Sequence, residues 1–170
     1  MTRGELQRSP VDLPSLYMTQ WRAMVRLAVL LVDDVPTAED VEQDAFVALY
    51  RRSGTLRDPA AAVAYVRASV VNLSRSVVRH RQVVRKHQRV AEPDHVDGAD
   101  FHALLSAEHR DALAAMRELP RRQQEVLVLR FWAGLSELEI AETLGISAGT
   151  VKSSASRGLA KLSNKLGGVR

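Results

Sequence analysis

The stretch from Ser136 to Arg157, SELEIAETLGISAGTVKSSASR, constrains the fold of this chain more than any other. Ser136 followed three residues later by Glu139 is a capping-box signature, in which each side chain satisfies a backbone donor of the other residue. Ile140 and Leu144 mark one apolar face, and Gly145 stands where a left-handed residue ends a helix. Ser147 sits three residues before Thr150 and is placed to cap a second helix. The pattern predicts a helix-turn-helix, a motif whose second helix enters a DNA major groove. The spacing agrees: counting from Glu137, the fifth residue is Ala141, where the helices must approach closely, the ninth is Gly145, where the chain must turn, and the fifteenth is Val151, which must pack. Lys152, Ser153, Ser156 and Arg157 then project away from the face carrying Val151, Ala155, Leu159, Leu162 and Leu166, as candidate groove readers.

The rest of the chain reads as helices with scarcely a strand signal. A first helix starts at Asp12 and Pro14 and runs to about Asp33, with Leu16, Trp21, Met24, Val25, Leu27 and Leu31 at helical spacing. Thr37 is expected to cap a second helix, with Asp40 at its third position. Val41, Ala45, Phe46, Ala48, Leu49 and Tyr50 form its apolar side; Glu39, Asp40, Glu42, Gln43 and Asp44 form an acidic opposite side. After a loop to Pro59, a third helix carries Val63, Val66, Val70, Leu73 and Val77 on one face and Arg67, Arg75, Arg79 and Arg81 on others. Asn72 is a poor helix former in mid-helix, and an amide in a basic helix is suited to reading a base edge. The pattern breaks at VAEPDHVDGAD, the best linker candidate. A fourth helix is expected over Phe101 to Glu118, and Pro120 opens a fifth with Val126, Leu127, Leu129 and Phe131 as core positions. The expectation is an all-α chain of two small helical domains, residues 12–88 and 101–168, joined by a flexible linker over 89–100.

The formal charge of this 170-residue chain is +4, but the basic residues cluster. Seven Lys or Arg and no acid lie between Pro59 and Ala91, and after Glu142 only basic charges follow. Two basic blocks in opposite halves point to two contacts with a polyanion. The absence of cysteine excludes disulfides and thiolate zinc sites within the chain. His80, His87, His95, His102 and His109 recur every seven or eight residues, a spacing of about 10 Å along a helix that is too long for neighbours to share an ion. No metal and no cofactor are therefore expected. No phosphate loop, nucleophile elbow or zinc-protease motif is present, so an enzyme is the weakest reading. No stretch reaches the ~20 apolar residues of a membrane span, and a soluble cytoplasmic protein is expected.

At the level of motifs the chain resembles the extracytoplasmic-function (ECF) type of bacterial RNA polymerase sigma factor. AEDVEQDAFVALY, Ala38 to Tyr50, resembles the second conserved sigma region, and AYVRASVVNLSRS resembles the segment that recognises the −10 element. LPRRQQEVLVLRFWAGLSELEIAETLGISAGTVKSSASRGLAKL resembles sigma domain 4. The resemblance implies that residues 12–88 are sigma domain 2, with Asp40, Gln43, Asp44 and Phe46 docking on the clamp helices of core RNA polymerase. It implies that Asn72, Arg67, Arg75 and Arg79 meet the −10 element, with Asn72 near the site where an extruded base is captured. In domain 4, Arg130, Thr150, Lys152, Ser153, Ser156 and Arg157 would meet the −35 element, and the polymerase flap would hold the domain.

The implied partners are core polymerase, promoter DNA and, as is frequent in the family, an anti-sigma factor; membrane insertion and obligate homo-oligomerisation are not implied, and the protein would join the nucleoid through polymerase. Ser154, Ala155 and Ser156 stand where the family commonly has Arg, a large aliphatic and His or an aromatic, which implies a weaker or differently specific −35 contact. Tyr65 replaces a frequent Trp, as in SigE-like subgroups. A stand-alone helix-turn-helix regulator and a non-initiating antagonist on polymerase are the rival readings.

Overall fold

The computed structural model of the protein describes residues 11–87 and 107–167. The described residues are helical, with no strand among them. The helices are α1 (Leu13–Val32), α2 (Val35–Arg52), α3 (Pro59–His87), α4 (Ala107–Arg117), α5 (Arg121–Leu127), a π-helical turn (Val128–Trp132), α6 (Glu137–Leu144) and α7 (Ala148–Gly167). The expected linker over 89–100, and Leu104 and Leu105 of the expected fourth helix, lie outside the described residues.

Asp12 starts α1 by accepting the backbone N–H of Ser15, and Asp33 ends it in the left-handed region at φ 71°. The apolar face read from sequence is the one that packs: Leu16, Met24, Leu27 and Leu31 are buried against α2 and α3. The second helix begins earlier than expected, because its cap is Asp34 and not Thr37. Proline tolerates the first turn, where its missing N–H costs nothing, so Val35 and Pro36 are already helical and Asp34 Oδ1 accepts the Thr37 N–H at 2.9 Å. Asp58 ahead of Pro59 accepts the Ala60 N–H at 3.0 Å and opens α3.

These three helices pack against one another, and α5, α6 and α7 form a second group to which α4 adds its contact with α7. Ala38, Val41, Ala45 and Leu49 of α2 meet Ala62, Val66, Val70 and Val71 of α3 and the last turns of α1 in a core that continues into Val126, Leu127, Val128 and Leu129.

Four apolar positions expected in the core are exposed. Tyr50 is 72% exposed, since its position lies one residue beyond the stripe that ends at Leu49. Phe131 is 63% exposed. The π turn explains it: Ala133 N donates to Val128 O and Leu135 N to Leu129 O, so the chain widens after Leu129 and rotates Phe131 and Trp132 outward. On α7, Leu159 and Leu166 are exposed, and the buried stripe is Val151, Ser154, Ala155 and Gly158. A Cβ on Gly158 would lie 2.9 Å from Leu127 Cδ1 and 3.3 Å from Gln123 Cβ, so α7 approaches α5 through its small residues and turns its leucines aside.

Candidate nucleic-acid interface

The helix-turn-helix is built as its local sequence dictates. Ser136 Oγ accepts the Glu139 N–H at 3.3 Å, while Glu139 Oε2 accepts the Ser136 N–H at 2.8 Å. These bonds hold the Glu139 carboxyl below its ordinary range, the backbone bond contributing most. Gly145 takes φ 63°, and the Ile146 and Gly145 N–H groups return to the carbonyls of Ala141 and Glu142, which closes the helix end. Ser147 Oγ then accepts the Thr150 N–H at 3.1 Å and starts α7. Val151 and Ala155 pack inward, and Thr150, Lys152, Ser153, Ser156 and Arg157 share the exposed side. Arg157 is aligned along that side by its bonds to the Ser153 carbonyl and hydroxyl, both at 3.2 Å. Ser154 is buried and presents nothing to a groove. Arg130 stands apart from this row, paired with Glu137 at 3.1 Å and lying over the Phe131 ring.

In the first three helices the sequence-predicted residues divide between two surfaces. Asp40, Gln43 and Asp44 are exposed on α2, but Phe46 is half-buried and packs edge-on against Tyr17 of α1, with ring centroids 4.9 Å apart. Glu42, read as part of the acidic side, is instead 2% exposed and its Oε1 has no partner. Burial, helped by Glu39, pushes its carboxyl up to about 7. Asp44 and Asn72 share a depression of about 500 Å³ with Val47, Ala48, Arg51, Ser69 and Leu73, so the acidic helix and the amide of the basic helix meet at one groove.

Of the basic residues on α3, Arg79 is exposed and Arg67 half-exposed. Arg75 is otherwise engaged: its Nε and Nη2 both donate to the Glu125 carboxylate at 2.9 Å. Glu125 was not singled out in the sequence, because a glutamate inside an arginine-rich helix start reads as an ordinary local ion pair. The exposed Phe131, Trp132 and Leu138 were missed for a related reason, since only the π turn brings the two aromatics outward. Among the described residues no group of His, Asp and Glu could hold a metal ion, and no helix is long and apolar enough to cross a membrane.

Residues 109–162 match the family described as Sigma-70, region 4. The chain is 34% identical over 149 residues to an RNA polymerase sigma-E factor of Streptomyces coelicolor, covering 87% of this chain and 82% of the relative. It is 31% identical over 152 residues to the ECF RNA polymerase sigma factor SigM of Mycobacterium tuberculosis, covering 89% and 76%. In fold it is similar to the sigma factor RpoE of Bartonella quintana, solved in complex with the anti-sigma factor NepR, with a TM-score of 0.74 over 94% of this chain and 99% of that one at 22% identity. It is likewise similar to CnrH, solved in complex with the cytosolic domain of CnrY, at a TM-score of 0.67 and 23% identity, covering 93% and 89%.

Proposed function

The chain belongs to the ECF family of RNA polymerase sigma factors, whose members are non-catalytic promoter-specificity subunits, and from that membership we propose that its two helical groups divide promoter recognition between them. Residues 12–88 act as domain 2, which docks on the polymerase clamp helices through Asp40, Gln43 and Asp44 and engages the −10 element through Arg67, Asn72, Arg75 and Arg79. Residues 101–168 act as domain 4, which reads the −35 element. The observation that carries this reading is the row of Thr150, Lys152, Ser153, Ser156 and Arg157 on the exposed side of a helix whose other side is packed. A recognition helix needs that division: one face fixed by the domain and one free for base edges and phosphates.

The groove shared by Asp44 and Asn72 supports a role for Asn72 in holding an extruded base. Unstacking a base costs a few kcal/mol, and a pocket must offset it for binding to drive strand opening. Phe46 contributes by fixing α2 on α1, which keeps the acidic face in place, and its part in clamp docking is indirect. The exposed Phe131, Trp132 and Leu138 offer apolar side chains to the polymerase flap, and aromatic residues are enriched in protein contacts. An anti-sigma factor of its own is proposed from the two solved relatives, each held by a partner in its complex.

Reconstitution tests the reading. Mixed with core polymerase, the protein should form a stable complex and give transcripts from a defined set of promoters, with DNA binding that weakens steeply with salt. Failure to bind core would favour the stand-alone helix-turn-helix regulator, and binding without initiation would favour an antagonist.

A further inference from the structure

Arg79 and Arg81 stand two residues apart on α3, and two residues turn a helix by about 200°, so the two side chains leave on opposite sides. Arg79 is exposed. Arg81 reaches instead into the corner between α1 and α2. Its Nη1 donates to the Val32 carbonyl at 3.0 Å, and its Nη2 donates to Asp34 Oδ2 at 2.8 Å and to the Thr37 hydroxyl. Each acceptor belongs to a helix end. Val32 closes α1, where the last carbonyls have no donor in their own helix; Asp34 caps α2, and Thr37 lies in its first turn. One planar guanidinium thus spans the end of one helix and the start of the next, a task that suits its fixed fork and not a point-like ammonium.

The corner depends on such a brace. Only Asp33 and Asp34 separate α1 from α2, and Asp33, at φ 71°, is the one non-glycine residue with a positive φ among the described residues. A residue in that conformation persists where its surroundings over-determine it. Elsewhere α2 meets α3 through Ala38, Val41, Ala45 and Leu49 against Ala62, Val66 and Val70. That contact is apolar and without direction, so it holds the helices together but does not by itself set their rotation. At the far end of α2, Arg52 lies over the Tyr65 ring of α3 at 5.4 Å. At the near end, the side-chain hydrogen bonds from α3 to α2 among the described residues are those of Arg81. Asp40, Gln43 and Asp44 follow Thr37 within about two turns of that anchor.

We infer that Arg81 is a positioning residue for core polymerase docking: it ties the start of α2 to α3, holds Asp40, Gln43 and Asp44 in the pose that the clamp helices receive, and makes no contact with DNA. The inference rests on the reading of that acidic face as the docking surface. With the brace gone the face samples more than one pose, and apparent affinity falls with the fraction still correctly placed.

The test compares Arg81→Gln, Arg81→Lys and Val66→Ala in the full chain. Val66 is 1% exposed on α3 and takes part in none of these bonds, so Val66→Ala weakens the same core without releasing the corner. The chain has no cysteine, so spin labels at Glu39→Cys on α2 and Ser76→Cys on α3, both exposed, report the pose of one helix on the other. The distance distribution should be narrow in the parent protein and in Val66→Ala, and broad in Arg81→Gln. Affinity for core polymerase should fall roughly threefold to tenfold in Arg81→Gln, fall less in Arg81→Lys, which keeps a charge for Asp34, and hold the parent value in Val66→Ala. In duplex DNA binding across a salt series, Arg81→Gln should keep the parent slope, whereas loss of a phosphate contact lowers it by about 1. An unbroadened distribution in folded Arg81→Gln, equal losses of core affinity in Arg81→Gln and Val66→Ala, or a reduced salt slope overturns the assignment. Circular dichroism checks folding. If Arg81→Gln loses helix, Thr37→Val, which removes one acceptor of the guanidinium, carries the same expectations. The distances need no polymerase and judge the brace alone, whereas failure of the parent protein to bind core overturns the docking reading that the brace serves.

Discussion

Removing the Asp34 carboxylate should loosen the α1–α2 junction, and with it the position of the acidic face of α2. Asp34 serves two purposes. Its Oδ1 caps α2 at the Thr37 N–H, and its Oδ2 receives Arg81 Nη2 from α3 at 2.8 Å. A lost cap costs about 1 kcal/mol. The ion pair is part-buried, with side chains 38% and 17% exposed, and Arg81 retains the Val32 carbonyl at 3.0 Å and the Thr37 hydroxyl after the change. Its loss should therefore cost about 1 kcal/mol, well below the penalty for a stranded buried charge. Asp34→Ala is expected to destabilise by about 2 kcal/mol in urea titrations followed by circular dichroism, and to lower Tm by about 4–8 °C. Asp34→Asn keeps a good capping acceptor and should lose about half as much.

The two variants also separate in pH. Although burial works against it, bonds from Thr37 and Arg81 bring the Asp34 carboxyl below its ordinary value of 3.8. A depressed folded pKa gives stability that is fully present above the unfolded value and is lost as pH falls through the folded one. The gap between the parent protein and Asp34→Asn should thus be constant above about pH 5 and close below about pH 4. Equal losses in the two variants, or an Asp34→Ala loss under about 0.5 kcal/mol, would refute this division of labour between cap and ion pair.

Charge reversal should separate the two proposed surfaces. Asp44→Arg is expected to weaken core polymerase binding by about tenfold, or 1.4 kcal/mol, with helix content unchanged, whereas Arg157→Glu should spare core binding and reduce initiation from −35-dependent promoters; equilibrium binding and run-off transcription read the two effects. Gly158→Leu should destabilise the domain by about 3 kcal/mol in urea titration, because Leu127 is fully buried and cannot clear the space that a side chain needs. Glu42→Gln should stabilise by about 1 to 2 kcal/mol at pH 8 once solvent screening is allowed for, and the gain should vanish by about pH 4.5: a carboxyl raised in the fold to about 7 contributes stability below its unfolded value and loses it as pH climbs through the folded one. Urea midpoints across that range check it.

What was legible in the sequence was what is decided locally. The capping box at Ser136, the left-handed Gly145 and the Ser147 cap each depend on residues within four positions, and each forms as read. The start of α2 was misread because Asp34 and Thr37 are both good caps and only Pro36, already helical, decides between them. Phe131 and Leu159 defeat periodicity for different reasons. A π turn changes the angular step per residue, so counting by 3.6 puts Phe131 on the wrong side. On α7 the pattern of leucines is overridden by distance: Gly158 lets the helix come so close to α5 that small residues fill the contact and Leu159 is turned outward.

The candidate interface was legible at its exposed row and not at its junction, and the difference has a physical origin. A helix face that must stay free announces itself by polarity, because nothing in the fold covers it. Arg75 and Glu125 lie fifty residues apart; Glu125 has Arg121 and Arg122 beside it to satisfy a local reading, and Arg75 has no acid near it in sequence to suggest any pairing. Their pairing follows only once α3 and α5 are brought together by an apolar core that either sequence could have joined in another register. The same reasoning limits what the arginines of α3 can do at one time. Arg79 stands exposed while Arg75, a single turn away, is closed on a carboxylate, so a basic stripe continuous in sequence is interrupted in the folded chain.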